Sequence, residues 1–169
     1  MKREEFEHVV RAAGAILQTD EILVIGSQAI HGVNPEGLPP EAERSIEVDV
    51  AVFGDTTGAL ADLIDGAIGE ASMFHATFGY YAQGVVETTA VLPDGRTPAT
   101  MGVTAWCLEP HDLWIAKAIA NRPRDIEFCD ALVRRGLVHT ELLVERLAAV
   151  SDLSDEHREM VARRIAEAA

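Results

Sequence analysis

Arg44-Ser45-Ile46-Glu47-Val48-Asp49-Val50-Ala51-Val52-Phe53 is the stretch on which the fold of this chain turns. From Ser45 to Phe53 it alternates and is rich in β-branched residues, which predicts a strand. Residues two apart on a strand point to the same face. Glu47 and Asp49 therefore project together, while Ile46, Val48 and Val50 turn the other way into apolar packing. Two carboxylates so placed repel, and a cation between them relieves the cost of ionising both. Mg2+ (or Mn2+) suits such a pair, because it takes hard oxygen ligands and keeps room for substrate phosphates. An ordinary half-exposed acidic strand would carry the same two residues, so the pair alone leaves both readings open.

Upstream, Glu21-Ile22-Leu23-Val24-Ile25 is a short apolar run closed by Gly26, which predicts a buried strand. A glycine after such a strand lets backbone approach a ligand closely, and a helix start beyond it offers N–H groups to an anion. The Ser27 hydroxyl can add a hydrogen bond to a phosphate oxygen, or it can be a plain N-cap. Phe6, Val9, Val10, Ala13, Ile16 and Leu17 recur at helical spacing within residues 3–18. Asn34 to Pro40 reads as a loop. Asp55-Thr56-Thr57 offers caps to a helix carrying Leu60, Leu63, Ile64, Ala67 and Ile68.

Farther on, Val85 to Leu92 predicts a third strand, and Pro93-Asp94-Gly95-Arg96 a turn into a partner strand over 99–108. From Glu109 the pattern is helical, over about 109–121, 124–136, 139–150 and 154–168. The expected fold is α/β (α+β), a mixed sheet flanked by helices with a helical C-terminal part. Residues 1–108 would form the core, and 109–169 a helical region packed on it as a single structural unit.

The 169 residues are 48% hydrophobic, enough for one compact core. No apolar run approaches the ~18 residues of a membrane span, and no apolar stretch follows the charged opening residues as in a signal peptide. Two cysteines without CxxC spacing, Cys107 and Cys129, point away from a disulfide framework or zinc knuckle and toward a reduced cytoplasmic setting. A net charge of −14 repels nucleic acid on average. Lys117 to Arg135 nevertheless holds five of the 14 basic residues, a local place for a phosphate rather than a long nucleic-acid track.

Val24-Ile25-Gly26-Ser27-Gln28-Ala29-Ile30 followed by Arg44-Ser45-Ile46-Glu47-Val48-Asp49 resembles the polymerase-β-like nucleotidyltransferase superfamily, whose motif is a Gly-Ser turn and then an acidic-x-acidic strand. Glu109-Pro110-His111-Asp112-Leu113, with Lys117 and Arg124-Asp125, is similar to the bacterial branch that includes AbiEii-type toxin nucleotidyltransferases. The resemblance spans about residues 20–136. It implies an NTP held by Gly26, Ser27 and Arg44, and metal held by Glu47, Asp49 and a third carboxylate, for which Glu87 is the best-placed acid. Glu87 reads equally well as a solvent-facing strand residue. The resemblance further implies that Lys117 reaches nucleotide phosphates and that Asp125 orients it, where the plainer reading of Lys117 is a lysine snorkelling from an apolar helix face. Two departures from the motif fall on the chemistry: twenty residues separate Ser27 from Glu47, and the first carboxylate is Glu, which reaches farther than the usual Asp.

The implied activity moves a nucleotidyl group from an NTP to a hydroxyl of an acceptor, which could be a protein, a tRNA end or a small molecule. The rival class is a non-catalytic interaction protein of the same fold, such as a toxin–antitoxin component with a cognate antitoxin or toxin as partner. Gly79-Tyr80-Tyr81 offers a ring to stack on a base or, more simply, a hydrophobic plug under a loop.

Overall fold

The computed structural model describes residues 1–33, 37–86 and 102–169. Its elements run in order α1 (Arg3–Leu17), β1 (Glu21–Val24), a 3₁₀ helix (Ser27–Val33), α2 (Pro40–Glu43), β2 (Glu47–Ala51), α3 (Ala59–Ile68), α4 (Met73–Phe78), β3 (Tyr81–Gly84), β4 (Thr104–Cys107), α5 (Pro110–Ala120), α6 (Pro123–Arg134), α7 (Thr140–Ala149) and α8 (Asp155–Ala168). Among the described residues this is an α+β architecture around a four-stranded mixed sheet. Among the described residues no helix is long and apolar enough to cross a membrane. The chain divides into two compact units: residues 1–38 with 43–109, which contain the sheet, and residues 39–42 with 110–169, which are helical.

In the sheet unit the strand order is β3-β2-β1-β4. β1 runs antiparallel to β2 and parallel to β4, while β2 and β3 are parallel. One face carries Ile22, Val24, Val48, Val50, Ala82, Ala105 and Cys107, all buried. The apolar stripe of α1, Phe6, Val9, Val10 and Ala13, is fully buried, and α3 adds Ala61, Ile64 and Ile68. Period-2 and period-3.6 patterns thus meet in one core, the arrangement that removes most apolar area from water. α3 starts where Asp55 gathers backbone donors: Oδ1 accepts from Gly58 N at 3.0 Å, and Oδ2 from Leu60 N and Ala61 N at 2.9 and 3.1 Å. Burial pushes the Asp55 pKa up, but these bonds and that from Thr57 outweigh it and hold it below its ordinary value.

The described residues add to the expected strands and amend one placement. A strand lies at Tyr81–Gly84, ahead of Val85, in parallel register with β2, which sets Tyr81 beside Glu47 and Gly84 beside Val50. β4 covers Thr104–Cys107 of the expected 99–108 strand and pairs with β1. The expected hairpin between that strand and Val85–Leu92, with its turn at Pro93–Arg96, falls on residues 87–101, which lie outside the described residues. Ile46 is 48% exposed rather than packed, since β2 begins only at Glu47. One helix, α4, was not anticipated; none of its residues is buried, and it is held by the Ser72 cap at His75 N and stopped by Gly79 at φ 80°.

His31 is a buried titratable group in this core. It is 2% exposed, its ring stacks on Phe6 with centroids 4.8 Å apart, and Nε2 lies 3.2 Å from the Met1 carbonyl oxygen. Burial lowers its pKa to about 4, against a smaller opposing pull from the Met1 carbonyl. The unfolded chain then binds a proton near pH 6.5 that the folded chain refuses until about pH 4. Stability from this site is complete above pH 6.5 and falls as pH drops through that window, by about 3 kcal/mol at the bottom. Urea unfolding at pH 7, 5.5 and 4 should show this slope in the wild type and a flatter one in His31→Gln.

In the helical unit, Leu113, Trp114, Phe128, Leu132, Leu143, Val161 and Ile165 form the interior. The Trp114 indole N–H donates to the Cys129 carbonyl at 3.1 Å, which satisfies the polar end of the largest core side chain. Cys107 and Cys129 are free thiols, both buried, and burial pushes each pKa up to about 12.

Candidate nucleotide and metal site

β2 alternates as its sequence requires: Val48 and Val50 are buried, while Glu47 and Asp49 are half-buried on the opposite face. Register extends that face onto β3, where Tyr81 stands beside Glu47 and Gln83 beside Asp49. The Tyr81 hydroxyl donates to Glu47 Oε2 at 2.6 Å. That bond, then burial, then the charges of Glu47, Glu70 and Asp49 raise the Tyr81 pKa well above its ordinary value. The His75 ring packs on Tyr81 with centroids 4.8 Å apart, and His75 Nδ1 contacts the Glu70 carbonyl oxygen.

The Gly26-Ser27 turn comes to the same place through β1. Val24 pairs with Val50, and Ile25 N donates to the Asp49 carbonyl at 3.2 Å, so Gly26 emerges next to Asp49. The approach is close: a Cβ added at Gly26 would fall 1.4 Å from Asp49 Oδ2 and 2.6 Å from its Cγ. The glycine is required here by the carboxylate lying over its Cα. Ser27 is half-buried and opens the 3₁₀ helix, whose first turn is closed by Ala29 N donating to the Gly26 carbonyl at 2.9 Å. Arg44 is exposed, in the segment leading into β2.

Four of the sequence-derived residues, Gly26, Ser27, Glu47 and Asp49, are therefore neighbours in the sheet unit. Glu87 and Asp94 lie outside the described residues. Lys117 and Asp125 belong to the helical unit, where they meet each other: Lys117 Nζ is 3.4 Å from Asp125 Oδ1, and Arg122 Nε is 3.6 Å from Oδ2. Asp125 also accepts from Arg122 N at the start of α6, so it caps that helix as well as pairing with the lysine. Tyr80 joins His8, Phe74 and Phe78 in an aromatic cluster, with His8 Nδ1 2.8 Å from the Tyr80 hydroxyl. Its ring is thus engaged with these neighbouring rings at the surface of the unit.

Sequence reasoning did not find the Tyr81–Glu47 contact. Nothing local signals it, because it follows from the parallel register of strands separated by α3 and α4. Among the described residues no group of three or more His, Cys, Asp or Glu side chains could hold a metal ion. Two adjacent carboxylates still match what Mg2+ asks of a protein, since it is commonly held by one or two carboxylates plus substrate phosphates and water. The sheet unit carries sixteen acidic residues against five basic ones, so a divalent cation and its phosphates would enter a strongly negative surrounding. No protein-family model, curated protein or solved structure matches this chain.

Proposed function

We propose that the sheet unit is a Mg2+-dependent nucleotidyl-transfer site that takes an NTP at the Gly26-Ser27 turn and passes its nucleotidyl group to a hydroxyl. The observation that carries this reading is the Asp49 carboxylate lying over the Gly26 Cα. A phosphate turn and a metal carboxylate must share one place for this chemistry, and side-chain-free backbone is what lets them do so. Glu47 and Asp49 would hold the cation, and Ser27 would donate to a phosphate oxygen. A bound divalent cation would neutralise phosphate charge and favour loss of pyrophosphate. The polymerase-β-like resemblance of Val24–Ile30 and Arg44–Asp49 points the same way. The proposal rests on residues of the sheet unit alone.

A second reading, a non-catalytic interaction protein such as a toxin–antitoxin component, is favoured by the Tyr81 hydroxyl bound to Glu47 Oε2, which engages one of the oxygens a metal needs. Thermal denaturation with each NTP, with and without Mg2+ or Mn2+, separates the two. Binding at 100 times Kd adds about 2.7 kcal/mol to the folded state. Label transfer from radiolabelled NTPs to protein, tRNA and small-molecule acceptors then tests catalysis. Glu47→Ala and Asp49→Ala should fold yet lose transfer by at least about 100-fold, since even outer partners of metal ligands cost about 10–100-fold. Wild-type transfer in both variants removes the metal assignment. No stabilisation by any NTP with either metal favours the interaction protein.

A further inference from the structure

We infer that Tyr81 is itself an acceptor, so that the chain transfers a nucleotidyl group onto its own tyrosine. This rests on the nucleotidyl-transfer reading above and adds to it the identity of one acceptor. A general base must lie within about 2.6–3.2 Å of the proton it removes. The Tyr81 hydroxyl meets that condition in the folded chain, donating to Glu47 Oε2 at 2.6 Å. The other hydroxyls beside the turn and strand are differently placed. Ser45 Oγ donates to the Glu47 main-chain carbonyl at 3.2 Å, and Ser27, which opens the 3₁₀ helix, is the residue already assigned to a phosphate oxygen in the reading above. Tyr81 is also held in position: β3 fixes it opposite Glu47, and the His75 ring braces its own ring. Among the described residues β3 lies at one edge of the sheet, and Tyr81 is only partly buried, so its side chain is open to a nucleotide there.

The step balances without a further reagent. The Tyr81 oxygen attacks the α-phosphorus of the NTP and forms an O–P bond. The bond from that phosphorus to the bridging oxygen breaks, and pyrophosphate leaves with its electron pair. The tyrosine proton passes to Glu47 Oε2, the oxygen it already donates to, as the new bond forms, and from there to water, while Oε1 is the oxygen that would meet the cation. The product is a tyrosyl nucleotide phosphodiester that masks the hydroxyl and frees Glu47 from it.

The purified full chain should be incubated with each of the four NTPs and Mg2+ or Mn2+, then measured by intact mass and by peptide fragmentation. The expected result is a gain of one nucleotidyl group per chain, mapped to Tyr81 and absent in Tyr81→Phe. Thermal stabilisation by metal and NTP is read in parallel on both proteins. Nucleotidyl groups mapped only to other residues overturn the inference, as does stabilisation without self-labelling; either leaves the nucleotide site standing. Absence of both labelling and stabilisation overturns the inference together with the reading beneath it. Mapping is decisive because a tyrosine that merely positions Glu47 would lower labelling when replaced without ever carrying the group.

Discussion

Replacing Gly26 with alanine should sharply weaken nucleotide-dependent stabilisation and transfer while leaving a folded chain. The added methyl would fall 1.4 Å from Asp49 Oδ2, an overlap no real structure tolerates. The nearest atoms are the far end of one side chain, and the Asp49 Cβ is 3.2 Å away, so rotation of the carboxylate relieves most of the clash. The substitution therefore acts as a selective eviction of Asp49 from the turn. Expected losses are about 100-fold in transfer, comparable to Asp49→Ala, with an unfolding cost near 1 kcal/mol. The double variant Gly26→Ala with Asp49→Ala supplies the check. If the clash is with this carboxylate, the methyl costs stability in the wild-type background and little once Asp49 is gone, a coupling that a mutant cycle measures directly. Equal costs in both backgrounds would place the strain elsewhere.

Gly84→Ala should produce the largest loss of stability among the glycine positions of the core. Its added Cβ would meet the Ala61 carbonyl oxygen at 2.0 Å and the Ala61 C and Cα at 2.5 and 2.6 Å. All three are backbone atoms of α3, which cannot rotate away. Either α3 lifts from the sheet or β3 leaves its register with β2. Overpacking of this kind costs about 3 kcal/mol or more, a fall in Tm of roughly 6–12 °C for a chain of this size. Gly66→Ala is the matching control on the same helix. A Cβ there meets nothing within 4 Å, and helix propensity favours alanine by up to about 1 kcal/mol. Similar melting temperatures for the two variants would contradict the packing of β3 on α3.

What could be read from the sequence was whatever repeats locally. The alternation Glu47, Val48, Asp49, Val50 announced both a strand and which side its acids take, and the structure keeps it. The four C-terminal helices were visible in their spacing, and the Asp55 cap in its residue type. The misses share a cause. α4 has no buried residue and only six residues, so its one apolar pair at helical spacing, Phe74 and Phe78, never repeats into a stripe; the Ser72 cap and the Gly79 stop mark its ends. β3 begins at Tyr81 because β2 offers it a parallel edge, a partner chosen across two helices. The meeting of Gly26 with Asp49 is likewise non-local. The motif placed both residues in one expected site, but only the antiparallel pairing of Val24 with Val50 explains why the first must be glycine.

The strand order also bears on how the chain is made. β1 is an interior strand whose Ile22, Leu23 and Val24 are entirely covered in the finished fold, yet one of its two neighbours, β4, is the last strand to be synthesised. While the ribosome is adding residues between β2 and β4, a greasy strand is left with an open side of unpaired N–H and C=O groups, the kind of edge that recruits other chains. Closing it needs contact between distant parts of the polypeptide, which is intrinsically slow. Nascent chains halted before Thr104 should therefore be clients for chaperones, and their solubility in a cell would reflect the timing of translation as much as the final stability of the fold.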